Sequence, residues 1–185
     1  MRAFLLAAGL GKRLRPITDR IPKCLAPING EPLLHIWLRL LRQHGVERVL
    51  LNTHYLARQV EEFLLNWAGP PQVMLSYEEK LLGSAGTLLR NWSFVEQERD
   101  FLVCYADNLT DMDLTRLVAA HRRHGSHITM ATFRPLRANE CGVGEMLEDG
   151  VVTGFEEKPA VPKSPYANAG VYVMNRSVGP LLPAK

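Results

Sequence analysis

Gly9-Leu10-Gly11-Lys12-Arg13 places two glycines directly before two cations. Glycines let a backbone approach a phosphate closely and turn its N–H groups toward it. An arginine such as Arg13 grips phosphate oxygens in bidentate fashion, while Lys12 and the nearby Lys23 supply point charges. Neither common phosphate fingerprint fits. The Walker spacing to Gly-Lys-Ser/Thr is missing, position 14 is Leu where a dinucleotide loop needs its third glycine, and Pro16 forbids a regular helix continuing from here. On spacing alone, the segment reads either as a phosphate loop or as a tight exposed turn whose charges serve solubility.

Three further clusters carry usable chemistry. Glu78-Glu79 precedes the small residues Gly83-Ser84-Ala85-Gly86-Thr87. A flat base could lie against such a backbone, and a buried carboxylate could accept from guanine N1–H and N2–H. The plainer reading makes both glutamates solvated loop charges. Asp107 closes the apolar run Phe101-Leu102-Val103-Cys104-Tyr105, and a carboxylate at a strand end suits Mg²⁺. Asp111 and Asp113 read as helix-start carboxylates favoured by the dipole. Phe155-Glu156-Glu157-Lys158-Pro159 is, by itself, an ordinary exposed turn.

The longer pattern is more specific. Leu6-Ala7-Ala8-Gly9-Leu10-Gly11-Lys12-Arg13-Leu14-Arg15-Pro16-Ile17-Thr18, followed by Pro22-Lys23-Cys24-Leu25-Ala26-Pro27-Ile28, resembles the signature of the sugar-1-phosphate nucleotidyltransferases. The resemblance continues through Gly30-Glu31-Pro32-Leu33 and covers essentially the whole chain. It implies a glycosyltransferase-A-like, Rossmann-like α/β/α fold with a mostly parallel central sheet. It further implies transfer of a nucleotidyl group from a nucleoside triphosphate to a sugar 1-phosphate, with Mg²⁺ as cofactor.

By that resemblance Ala7, Ala8, Gly9, Gly11, Lys12 and Arg13 would cradle the triphosphate, with Arg13 on the leaving pyrophosphate. Lys23 would be the catalytic lysine and Asp107 the metal ligand, with Ala106 standing where the family usually has Gly. Glu78, Gly83 and Ser84 would meet the base, in a loop most similar to the mannose- or heptose-phosphate guanylyltransferase branches, so GTP is expected. Uridylyl-, thymidylyl- and cytidylyltransferases of the same family are the rivals, along with a non-catalytic nucleotide- or sugar-phosphate-binding regulatory module. Gly142, Glu157, Lys158 and Asn168 would take the sugar phosphate, with Cys141 replacing the usual aromatic of a Tyr-Gly-Val strand. Family members normally carry a second metal-binding Asp well after the Asn168-Ala169-Gly170 strand, and the chain is expected to be a truncated piece lacking it.

These residues need elements to hold them. Apolar runs at Ala3–Ala8, Val49–Thr53, Val73–Tyr77, Phe101–Tyr105 and Ile128–Phe133 read as strands. They alternate with helical spacings over Pro32–His44 and Leu56–Trp67, a short helix at Ala85–Asn91, and one capped by Asp113 running through His124. Strand–helix alternation argues for a mostly parallel sheet covered on both faces. Gly142–Leu147 and Val151–Phe155, joined by Glu148-Asp149-Gly150, read as a hairpin, and Ala169–Met174 as a last strand. Leu181 to Lys185 reads as the start of another helix.

With 185 residues the chain is expected to form one domain. A net charge of +3 is too mild to argue for nucleic acid. No run approaches a membrane span, and Ala3–Ala8 is too short for a signal peptide. Cys24, Cys104 and Cys141 show no CxxC or zinc spacing, so a cytoplasmic protein is expected, with Cys104 a core thiol. His35, His44, His121 and His124 fall on expected helices without metal spacing. Association into a homo-oligomer is left open.

Overall fold

The computed structural model describes residues 1–182. The chain divides into two compact units, one formed by Met1–Thr129 with the segment from Val173 onward, the other by Met130–Tyr172.

The first unit is built on four parallel strands. Strand β1 (Arg2–Leu6) pairs on one side with β4 (Arg48–Thr53) and on the other with β6 (Asp100–Tyr105), and β5 (Gln72–Tyr77) pairs with β4. The register sets Leu6 beside Asn52 and Tyr105, so the C-terminal ends of these strands lie together. Phe4, Leu5, Val49, Leu51, Phe101 and Leu102 are wholly buried, as the unbroken apolar runs require. Between β1 and α1 the chain forms the short ribbon β2 (Pro27–Ile28) and β3 (Glu31–Pro32).

The helices follow the apolar periodicity. In α1 (Leu33–Gln43), Leu34, Trp37, Leu38 and Leu41 recur at helical spacing and are buried. Helix α2 (Ala57–Leu65) buries Val60, and α3 (Gly83–Arg90) buries Thr87 and Leu88. Helix α4 (Leu114–His124) starts where Asp113 Oδ1 accepts from Arg116 N–H at 3.0 Å, and stops at Gly125 in a left-handed conformation. Phe4 packs edge-on against Phe94 and Phe101, whose ring also meets Trp92 at 5.9 Å.

Leu34→Ala would remove a wholly buried side chain from this core. It is expected to cost about 2–5 kcal/mol of unfolding free energy, read as a lower urea midpoint at unchanged slope.

The second unit carries an antiparallel hairpin, β8 (Gly142–Met146) with β9 (Val152–Glu157), turning through Gly150 at φ +87°. Strand β10 (Ala167–Asn175) pairs antiparallel with β8, Ala167 opposite Val143, and runs on into the first unit. Strand β7 (Ile128–Phe133) likewise begins in the first unit and ends in the second.

The expected α/β class with a mostly parallel sheet is what the chain adopts. Three details differ. Strand β1 ends at Leu6, which releases Ala7 and Ala8 into the loop. Helix α3 begins at Gly83, two residues before the expected Ala85. Strand β5 leaves Met74, Leu75 and Tyr77 exposed, so it is not covered on both faces. Of the expected helix start at Leu181 to Lys185, Leu181 closes the 3₁₀ segment Arg176–Leu181 and residues 183–185 lie outside the described residues.

Candidate active site

A cleft of about 390 Å³ opens at the C-terminal ends of the parallel strands in the first unit. This is where ligands sit in open parallel sheets.

Its first wall is the loop after β1. The Ala7 N–H donates to Asn52 Oδ1 at 2.7 Å, which fixes the chain as it leaves the strand. Gly9 has open space around the position of a β-carbon. Gly11 adopts φ +62°, and a β-carbon there would lie 2.8 Å from Thr18 Cγ2. Thr18 is itself buried, and its hydroxyl donates to Gly11 O at 2.8 Å. The loop is therefore closed on a glycine by both torsion and contact. A 3₁₀ turn, Lys12–Leu14, replaces the regular helix that Pro16 excludes. It leaves Lys12 and Arg13 exposed on the cleft, and neither forms an ion pair among the described residues.

Gly11→Ala should strain the backbone by about 1–2 kcal/mol and push Thr18 aside. Urea unfolding is expected to show a correspondingly lower midpoint at unchanged slope.

The floor holds one ion pair. Lys23, in the 3₁₀ turn Lys23–Leu25, places Nζ 2.7 Å from Asp107 Oδ2. Asp107 follows β6, and the β1–β6 pairing runs on one residue, with Ala106 N–H donating to Leu6 O at 3.0 Å. Ala106 is wholly buried, so its methyl is accommodated where the family usually has glycine. Beyond Asp107 the backbone is pinned from α1, where Trp37 Nε1–H donates to Asn108 O at 2.7 Å.

The far wall is the loop between β5 and α3. Gly83 and Ser84 line the cleft, and Ser84 Oγ lies 3.0 Å from the Tyr105 hydroxyl. Glu79 is exposed, in keeping with a solvated charge. Glu78 is wholly buried, which removes the solvated reading for that residue. Its Oε1 accepts from Asn52 Nδ2 at 2.9 Å and from the Thr87 hydroxyl, and its Oε2 from Leu82 N–H at 3.0 Å. The expectation of a carboxylate waiting for a guanine edge thus meets one already holding three internal donors. Glu78 braces the wall from within.

Every residue assigned to the nucleotide from the sequence lines this one cleft. Asn52, Tyr105 and Leu81 also line it and escaped the sequence reading. Asn52 offered one signal, a polar residue ending the apolar run Val49-Leu50-Leu51. Cys24 lines it too, but burial pushes its thiol up to about 12, so it is a neutral thiol rather than a nucleophile. Cys104 is wholly buried with its thiol also near 12, the expected core thiol.

The metal expectation rests on one carboxylate. Among the described residues no group of three or more His, Cys, Asp or Glu could hold an ion. A single aspartate suits Mg²⁺, which fills its shell with substrate phosphates and water rather than an all-protein cage. Asp107, 40% exposed and at the cleft floor, fits that requirement.

The residues assigned to the sugar phosphate lie in the second unit. Gly142 and Glu157 are cross-strand partners, and a β-carbon on Gly142 would lie 2.5 Å from Phe155 Cζ and 2.7 Å from Glu157 Oε2. A side chain at position 142 would make the exposed ends of Phe155 and Glu157 shift from their places across β8. Lys158 follows at φ +48°, its N–H donating to Cys141 O and its Nζ 3.7 Å from Glu157 Oε1. The antiparallel register carries Asn168 toward the Gly142 end of β8. Its amide is partly engaged within β10, accepting from Gly170 N–H at 2.8 Å and donating to the Tyr172 hydroxyl.

The nucleotidyl transferase family model matches residues 2–182. The chain belongs to this family. A UTP–glucose-1-phosphate uridylyltransferase of Synechocystis sp. is 35% identical over 100% of this chain and 51% of its own length. A mannose-1-phosphate guanylyltransferase catalytic subunit beta of Drosophila pseudoobscura pseudoobscura is 34% identical over 96% of this chain and 48% of its own. The chain thus spans about half the length of these curated family members. HddC from Yersinia pseudotuberculosis shares the fold, with a TM-score of 0.85 at 22% identity, over 99% of this chain and 80% of that one. No helix among the described residues is long and apolar enough to cross a membrane.

Proposed function

We propose that this chain carries the catalytic centre for nucleotidyl transfer from a nucleoside triphosphate to a sugar 1-phosphate. A phosphate oxygen of the sugar 1-phosphate attacks the α-phosphorus. The bond from that phosphorus to the β-phosphate oxygen breaks, and pyrophosphate leaves. The observation that carries this reading is the Lys23–Asp107 pair, 2.7 Å apart on the floor of a cleft walled by the glycine loop.

The attacking phosphate is already anionic near neutral pH, so no strong general base is required. Catalysis then consists of positioning and charge neutralisation. Two unit charges about 4 Å apart interact by about 4 kcal/mol at an effective dielectric near 20, so each cation matters to a crowded polyanion. Lys12 and Arg13, free of ion pairs among the described residues, take the β- and γ-phosphates. Lys23 turns from Asp107 to the phosphate oxygens at the reacting centre. Asp107 would hold Mg²⁺, which would neutralise phosphate charge when bound. Lys158 holds the sugar phosphate, and Glu157 and Asn168 its hydroxyls.

GTP is the favoured donor, and mannose or heptose 1-phosphate the favoured acceptor. Support comes from the form of the Gly83-Ser84-Ala85-Gly86-Thr87 loop and from the guanylyltransferase relative. The commitment of Glu78 to internal donors takes away the direct argument for guanine. UTP is the second reading, favoured by the uridylyltransferase relative at 35% identity. A cytoplasmic setting belongs to the same proposal, in keeping with three free cysteines.

Pyrophosphate release with GTP, UTP, dTTP, CTP and ATP, each crossed with mannose, glucose and heptose 1-phosphates in Mg²⁺, tests the assignment. Release that requires both substrates, fastest with GTP, is the expected result. Fastest release with UTP selects the second reading. Nucleotide binding without release in any combination leaves a regulatory binding module.

A further inference from the structure

Three polar side chains are buried at the cleft, Asn52 and Glu78 in its lining, where apolar ones would pack more simply. Asn52 is 4% exposed, and Glu78 and Thr87 are wholly buried. Burying polar groups is costly unless each is hydrogen-bonded, and here they satisfy one another. Asn52 Nδ2 donates to Glu78 Oε1 at 2.9 Å and lies 3.1 Å from Thr87 Oγ1. The Thr87 hydroxyl sits within reach of both Glu78 Oε1 and Gly83 O.

What distinguishes this cluster from core filling is where its outer bonds go. Asn52 Oδ1 accepts from the N–H of Ala7, the first residue after β1 and the entry to the glycine loop. Glu78 Oε2 accepts from the N–H of Leu82, which precedes the left-handed Gly83 at the start of α3. One planar amide, with its oxygen on one loop and its nitrogen on the other loop's brace, ties the two walls of the cleft. The walls leave the sheet from different strands and are 45 and 26 residues from Asn52 in sequence. No local turn chemistry links them.

We propose that Asn52 is a positioning residue for nucleotide binding, setting the triphosphate loop and the base loop in register through Glu78 and Thr87. The inference rests on the reading of this cleft as a nucleoside triphosphate site. Three donors converge on position 78, so it must be an acceptor at both oxygens. A glutamine there would turn an NH₂ toward either Asn52 or Leu82. Conversely, an aspartate at position 52 keeps the acceptor for Ala7 but sets a carboxylate against a carboxylate. Combining the two changes reverses the bond's polarity and satisfies every group again: the introduced amide nitrogen donates to the introduced carboxylate and to Thr87 Oγ1, the Thr87 hydroxyl donates to Gly83 O, and the amide oxygen accepts from Leu82.

That reciprocity supplies the test, with affinities for GTP and UTP measured by calorimetry well below each variant's melting temperature. Asn52→Asp is expected to weaken whichever nucleotide the parent chain binds at least tenfold. Glu78→Gln should weaken it at least threefold. The double variant N52D/E78Q is expected to return to within threefold of the parent. If Asn52→Asp does not fold, Thr87→Val against Thr87→Ser decides. The valine should weaken binding several-fold, while the serine, which keeps the hydroxyl, retains it. Folded N52D with parental affinity, a double variant no better than N52D, or T87V equal to T87S overturns the positioning role. A parent chain that binds neither nucleotide sinks the site assignment itself, and the inference with it.

Discussion

Lys23→Ala is expected to lower the rate of nucleotidyl transfer about 10²–10³-fold, the loss typical when one preorganised stabiliser of developing charge is removed. The Lys23 ammonium is the cation on the cleft floor, 2.7 Å from Asp107 and 23% exposed. Lys12 and Arg13 lie on the exposed 3₁₀ turn and do not take its place. Lys23→Arg should not restore the rate, because a planar fork is not a compact point charge. The fold should tolerate both changes, since a part-exposed pair contributes at most about 1 kcal/mol. Single-turnover rates with saturating nucleotide and sugar 1-phosphate, alongside urea unfolding, check both halves of the expectation.

Asp107→Ala is expected to cost about as much turnover, roughly 10²–10³-fold, but to affect nucleotide binding with the opposite sign. Without Mg²⁺ a carboxylate on the cleft floor repels a triphosphate, so its removal should leave metal-free nucleotide affinity equal or higher. Lys23→Ala should lower that same affinity. With Mg²⁺ present, Asp107→Ala should lose the gain in affinity that the metal gives the parent chain. Calorimetry with and without Mg²⁺ separates the two variants. Matching losses in both conditions would make the pair a structural contact rather than two groups with separate partners.

The glycine loop was legible in the sequence because its demands are local. Gly11 must take a left-handed torsion seven residues before the threonine that closes on it, and Pro16 breaks the helix within the same stretch. The β8–β9 hairpin was legible for the same reason, its turn marked by Glu148-Asp149-Gly150. Asp107 could be placed because it ends an apolar run, and strand ends are where parallel sheets present ligand groups.

What escaped depends on distant partners. Asn52 looks like the fraying end of a strand until Ala7, Glu78 and Thr87 are set around it. Glu78 reads in the sequence either as a buried carboxylate for the base or as a solvated charge beside Glu79; it is buried, but its three donors come from Asn52, Leu82 and Thr87. Helix α3 starts before the point its propensities suggest, at a glycine and a serine, because Leu82 N–H, just ahead of Gly83, is held by the buried Glu78. Strand β5 carries Val73, Met74 and Leu75 but leaves much of that surface exposed, and nothing within Gln72–Tyr77 announces it.

The nucleotidyl acceptor provides the most direct test of the central claim. With sugar 1-phosphate labelled with ¹⁸O in its phosphate, a single turnover should yield a nucleoside diphosphate sugar that retains the label in the bridge between its two phosphorus atoms. One pyrophosphate should leave for each product molecule, with no free nucleoside monophosphate. Nucleoside monophosphate carrying solvent oxygen, or turnover undiminished by Lys23→Ala, would contradict transfer at this cleft.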